Sequence, residues 1–242
     1  MKAISEGVFL LKTNAMRLLL TSLLITIALF SCKDQTSNEA IDKEDTEITE
    51  LTTAERIAAN YGIDHWSSVS ELSFTFNVSR GESGFGRSFV WNTKTDDVVF
   101  MTDKDTIQYN RNMELDSLQT NADMRFVNDS FWLLSPFKLV WDEGTTLSEE
   151  KEVIAPISKD TLNKVTIVYG SEGGYTPGDA YDFYYTNDYT IKEWAYRRGN
   201  SEKASTITSW DKTETIGGLK FNTVHQDSLK SFKLFFTNVS VK

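Results

Sequence analysis

The chain has 242 residues, with 25 basic against 35 acidic side chains, a formal net charge of -10 and a single cysteine. At 40% hydrophobic and 12% aromatic it can build a core, so wholesale disorder is excluded. The acidity argues against nucleic acid, one Cys excludes an intramolecular disulfide framework and a Cys-cluster zinc site, and two His leave little for a His-based metal or catalytic centre.

The chain opens with an address. Lys12 and Arg17 precede an apolar run from Leu18 to Phe30, 13 residues long. That is too short to span a bilayer and right for the apolar region of a secretory signal peptide. Met16 is an alternative start. The run ends in Leu29-Phe30-Ser31-Cys32, which resembles the bacterial lipobox: an apolar branched residue, a small residue that lets the peptidase approach, and the thiol that takes the lipid. Residues 1-31 are expected to be a signal peptide and Cys32 the lipidated N-terminus of the mature protein. One acyl chain anchors only marginally, at about 0.8 kcal/mol per buried methylene. The two or three chains of bacterial lipoproteins, which Cys32 by this resemblance would carry, hold a protein stably. Cleavage removes Lys2, Lys12 and Arg17 but only one acid, Glu6, so the mature body is more acidic still and is repelled by anionic head groups. The expected place is the cell envelope, with the outer membrane as partner through the acyl chains. Lys33 rather than Asp after Cys32 favours the outer membrane by resemblance to enterobacterial sorting; periplasmic and surface faces both stay open.

Residues 32-50 are polar and acidic, and from Lys33 to Glu50 almost no large apolar residue occurs, which reads as a flexible tether. Residues 51-242 then form one domain. Thr52 with Glu55 predicts a helix start, and Gly62 a stop. From Glu71 the period changes to two: Leu72, Phe74, Phe76 and Val78 alternate with polar residues, a strand with one apolar face. Strands are predicted at about 86-92, 97-102 and 105-110, joined by turns rich in Asn, Asp, Lys and Thr. From Asn112 to Lys138 the alternation breaks. Asn128-Asp129-Ser130 predicts a cap for a short helix, Phe131-Trp132-Leu133-Leu134, stopped at Pro136. Apolar on every side, it must be sandwiched between other elements. Strands resume at about 145-155, 162-169, 180-186, 189-198, 204-212, 218-226 and 231-241. The count is about eleven strands and two helices, and short links make neighbours antiparallel.

Four segments, Trp132-Leu133-Leu134-Ser135-Pro136-Phe137-Lys138-Leu139, Tyr175-Thr176-Pro177-Gly178-Asp179-Ala180-Tyr181, Ile191-Lys192-Glu193-Trp194 and Gly217-Gly218-Leu219-Lys220-Phe221, resemble in order and spacing a family of uncharacterised lipoproteins from Bacteroidota. That family looks like the lipoprotein-localisation-factor superfamily. The resemblance implies a mainly β (α+β) fold: a single antiparallel half-barrel with short helices over its concave face. It also implies that acyl chains or other hydrophobic cargo lie in the groove, and it brings no catalytic residues and no cofactor.

The strand aromatics carry the functional question. Tyr181, Phe183 and Tyr185 share one face, and Trp194 and Tyr196 share another. They read either as core packing between sheet and helices or as the wall of an apolar groove for a small hydrophobic molecule or lipid, with Phe131, Trp132, Leu133 and Leu134 as its lid. The first reading makes the protein a scaffold or partner-binding module, the second a ligand-binding protein. An enzyme is not expected. His65 and His225 are isolated in sequence, and zinc needs three or four ligands. Asp103-Lys104-Asp105 lacks the third acid and the Gly of a calcium loop. Gly81-Glu82-Ser83-Gly84 is followed by Phe85, so it is no nucleophile elbow, and Gly84-Phe85-Gly86 lacks the third Gly of a dinucleotide loop.

Overall fold

A computed structural model describes residues 50-242. The expected signal peptide, Cys32 and all but the last residue of the expected tether lie outside the described residues. Helix α1, Thr53–Asn60, starts as its sequence predicts: the Thr52 hydroxyl accepts from the Glu55 N–H, and the Glu55 carboxylate accepts from the Thr52 N–H at 2.8 Å. Ile57 and Ala58 are buried. Beyond its C-cap at Tyr61 the chain turns at Gly62, whose φ is 87°; a Cβ there would sit 2.3 Å from the Gly218 carbonyl oxygen, so both the turn and the close approach require glycine.

The described residues form twelve strands, all antiparallel, in two sheets. The larger contains β1 (Glu71–Arg80), β2 (Ser83–Asn92), β3 (Asp97–Met101), β4 (Thr106–Asn110), β10 (Asp211–Ile216), β11 (Leu219–Gln226) and β12 (Phe232–Val241), in the order β10-β11-β12-β1-β2-β3-β4. The smaller runs β5 (Thr145–Ile154), β6 (Thr161–Tyr169), β7 (Ala180–Tyr185), β8 (Ile191–Arg197), β9 (Thr206–Ser209) in sequence order. In β1 the alternation is realised residue by residue: Leu72, Phe74, Phe76 and Val78 are buried and their neighbours are not. The extra strand comes from 204-212, which the sequence presents as one segment. It breaks at Trp210, so that β9 edges one sheet and β10 the other. Buried Trp210 donates its N–H to the Lys192 carbonyl at 2.8 Å and forms the one-residue step between the sheets. The sheets do not close into a barrel, and the architecture is a mainly β, open half-barrel.

The second helix departs most from expectation. The short helix at 131-134 is part of α2, Ser117–Trp141, 25 residues long. It begins at Asp116, whose carboxylate accepts from the N–H groups of Leu118 and Gln119 at 2.8 Å, while the Gln119 side chain accepts from the Asp116 N–H at 3.1 Å. It runs through Pro136, which removes the donor for the Trp132 carbonyl and costs about 3 kcal/mol in a helix interior. Burial outweighs this. Leu133, Leu134, Phe137 and Leu139 are all at most 3% exposed, and each such side chain contributes about 1.5-3 kcal/mol. The sandwich predicted for an all-round apolar helix is realised: Phe126 meets Phe89 and Trp91 of the larger sheet at 5.6 and 5.4 Å, while Phe131 meets Tyr181 at 4.5 Å and Trp132 meets Trp194 at 4.0 Å on the smaller. In chain order α2 links β4 to β5, the two strands at the far ends of the half-barrel. Despite its length, neither it nor any other described helix is long and apolar enough to cross a membrane.

Candidate ligand-binding groove

Strands β7 and β8 pair Tyr181 with Tyr196 and Phe183 with Trp194. Directly opposed residues point to the same side of a sheet, so the two aromatic sets that the sequence separates form one surface. Tyr181 stacks on Trp194 at 5.4 Å and 3° and on Tyr196 at 5.2 Å. Helix α2 lays half-buried Phe131 and Trp132 against them. Between them is a cavity of about 270 Å³ lined by Phe131, Trp132, Tyr181, Trp194 and Tyr196, with Met124, Val127 and Asn128 from α2 and Tyr175 and Thr176 from the β6–β7 loop.

The other four residues expected there are core. Leu133, Leu134, Phe183 and Tyr185 are 0-2% exposed and do not border the cavity. Tyr185 instead receives a hydrogen bond from Lys151 Nζ at 3.1 Å. Phe131 and Trp132 are wall rather than lid, since they belong to a long helix. Met124, Val127 and Asn128 escape a reading in which the helix begins at 131, although 124, 127, 128 and 131 have the spacing of one helical face.

The cavity continues at both ends into open grooves. One, of about 640 Å³, shares Asn128, Trp132 and Tyr196 with it and runs past Phe76, Val78, Phe232 and Leu234 to Arg80 and Arg87. The other, of about 410 Å³, shares Phe131, Tyr175 and Tyr181 and runs beneath the β6–β7 loop to Asp142. The aromatic cavity lies at the floor of the about 300-1,000 Å³ usual for ligand pockets, and each of the two grooves beside it falls inside that range.

The rim tyrosines are hydrogen-bond donors. Tyr175 donates to Asp123 at 2.7 Å, Tyr196 to Asp179 at 2.7 Å and Tyr169 to Asp142 at 2.6 Å. Burial, then the adjacent carboxylates, push the Tyr175 and Tyr196 hydroxyls up to about 12, and Tyr169 higher still. These phenols stay protonated at neutral pH and pin the loop and strand ends around the groove.

Behind the cavity lies a second constellation. The fully buried His225 ring is packed by Trp210 at 4.6 Å, Trp132 at 5.4 Å and Phe236 at 6.1 Å. Among the described residues neither ring nitrogen has a well-formed hydrogen bond, nor has Trp194 Nε1, Trp210 Nε1 or Thr208 Oγ1. Burial pushes His225 down to about 3, opposed only weakly by the backbone of Ser209 and Asn222. Among the described residues no group of three or more His, Cys, Asp or Glu could hold a metal ion.

No protein-family model matches the chain, and no curated protein matches it. Among solved structures it is similar to the crystal structure of a DUF1329 family protein from Desulfovibrio piger, at 10% identity and a TM-score of 0.46, over 78% of this chain and 92% of that one.

Proposed function

We propose that this is a lipid-anchored cell-envelope protein that binds a hydrophobic ligand, such as a lipid or acyl chain, in the groove along α2, and that it performs no catalysis. The observation that carries the reading is the aromatic cavity bounded by Phe131, Trp132, Tyr181, Trp194 and Tyr196 and open at both ends. An apolar group entering it leaves water at about 25 cal/mol per Å² of buried surface. The likeness to carriers of the lipoprotein-localisation type belongs to the same proposal. The alternative, an envelope scaffold or partner-binding module with a filled core, draws support from Leu133, Leu134 and Phe137, which α2 buries in the core.

Two adjacent residues separate these readings. Trp132 borders the cavity and Leu133 does not. Wild-type protein is expected to bind the uncharged polarity probe Nile red, and Trp132→Ala to weaken that binding at a stability cost of about 2 kcal/mol, below the full cost of a core aromatic because Trp132 is half-buried. Leu133→Ala is expected to cost about 2-5 kcal/mol and leave probe affinity alone. The measurement is a fluorescence titration at a temperature where all three proteins remain folded. Wild-type protein that takes up no probe after delipidation would leave the scaffold standing.

The anchor is tested separately. Cys32→Ala is expected to leave an unprocessed or soluble protein, read by membrane fractionation and acyl labelling. Labelled, membrane-bound variant protein would sink the lipobox reading.

A further inference from the structure

The two mouths of the groove carry opposite charge. The one beneath the β6–β7 loop is bordered by Asp142, Glu143 and Glu172, and its one lysine, Lys138, is already held by Asp142 at 3.1 Å. The other is bordered by Arg80 and by Arg87, which the buried Asp129 already pairs, and, among the described residues, by no carboxylate, so Arg80 is its unpaired positive charge there. In a chain with 35 acidic and 25 basic residues, such a mouth runs against composition.

Its guanidinium groups are also underused. Arg87 gives Nε and Nη2 to Asp129, and its Nη1 has no hydrogen bond among the described residues. Arg80 is exposed, lies 5.2 Å over the Phe232 ring, and has no ion-pair partner among the described residues. Arg125, exposed on α2 one turn before Asp129, acts on the Asp129 carboxylate rather than lining the mouth. From Arg80 the wall passes over Phe232 and Trp132 into the aromatic cavity, so cationic groups lead directly to apolar ones.

We infer that the ligand is a single-chain anionic amphiphile of the fatty-acid type, its carboxylate at the Arg80–Arg87 mouth and its tail running past Trp132 into the cavity. This rests on the ligand-binding reading above and names the class of ligand. Guanidinium groups recognise carboxylates by charge-assisted, paired hydrogen bonds. The acidic mouth at the far end repels the same head group, so the two ends together fix one orientation. The cavity of about 270 Å³, at the low end for ligand pockets, suits one chain rather than two.

The test uses the full chain, kept in solution by an uncharged detergent below its micelle concentration, with cis-parinaric acid and its methyl ester as fluorescent ligands at pH 8. Wild-type protein is expected to bind the acid about tenfold tighter than the ester. Arg80→Gln removes an exposed charge and leaves the buried Arg87–Asp129 pair intact. It is expected to weaken the acid about threefold to fivefold, the range of an exposed ion pair, to leave the ester unchanged, and to be only partly rescued by Arg80→Lys, which restores the charge but not the paired hydrogen bonds. Equal binding of acid and ester by wild type would overturn the inference while the hydrophobic reading stands. So would acid preference untouched by Arg80→Gln, because the head group would then lie elsewhere. Failure to bind either ligand would overturn both readings.

Discussion

Between pH 7 and pH 5 the folded protein is expected to lose about 2 kcal/mol of stability through one side chain, His225. The unfolded chain takes up a proton on this imidazole near its ordinary value of 6.5, whereas in the fold burial holds it near 3. Within that window the unfolded state binds the proton and the folded state does not, so acid favours unfolding; above 6.5 both are neutral and the effect is absent. Carried down to pH 3 the loss reaches about 4 kcal/mol, much of the 5-15 kcal/mol that ordinarily holds a domain together. The backbone of Ser209 and Asn222 offsets the charge only in part, and the ring's aromatic neighbours are Trp132, Trp210 and Phe236. The measurement is urea denaturation at pH 7 and pH 5 of wild type and His225→Phe. The variant keeps an aromatic ring without the titrating nitrogens, so its loss between the two pH values should be smaller by about 2 kcal/mol. Because the readout is a difference in slope, packing changes at the site cancel. Identical slopes would show that acid sensitivity arises elsewhere.

Asp129→Ala is expected to cost about 3-5 kcal/mol. Asp129 is 0% exposed on α2 and meets Arg87 of β2 through two hydrogen bonds, one of them 2.7 Å, with Asn128 donating at 2.9 Å. Burial pushes its carboxyl above the usual range even against Arg87. The Arg87 guanidinium lies 5.1 Å from both the Phe76 and the Phe85 rings, with only 12% of its side chain exposed. Truncating Asp129 leaves that charge in an aromatic slot without a counter-ion, the situation in which breaking a buried pair costs most. Replacing both partners, Arg87→Met with Asp129→Leu, should recover most of the loss, because the desolvation cost disappears with the charges. Chemical denaturation of the single and double variants reads this directly. A single variant within about 1 kcal/mol of wild type would mean that the pair is solvated in solution.

The limits of the sequence reading follow from particular residues. Strand β1 was legible because one buried face imposes strict alternation. The break at Trp210 was not, since no Gly, Pro or turn cluster interrupts 204-212 and only the partner strands decide that β9 and β10 go to different sheets. The first half of α2 was hidden by a mixed surface, although Asp116 and Gln119 have capping-box spacing. Its second half was cut short by a proline rule that local burial overrides. Trp132 and Leu133 explain the mixed outcome at the groove. Both are large and apolar, and a rotation of about 100° per residue around the helix places one in the wall and the other in the core. Composition reports that both leave water, not what replaces it.

The path of the chain constrains how a ligand could come and go. Since α2 joins the two outermost strands, β4 and β5, it is moored at both ends like a bowstring across its bow. It cannot swing out as a flap without dragging a sheet margin with it. A ligand for the groove would therefore enter by its two open ends and not past a lid, while the single-residue step at Trp210 joins the two sheets. The bow tips are kept from adhering to other chains by chemistry: the β5 margin displays Glu149, Glu150, Lys151 and Glu152 to water, a charged border on which a foreign strand finds poor footing.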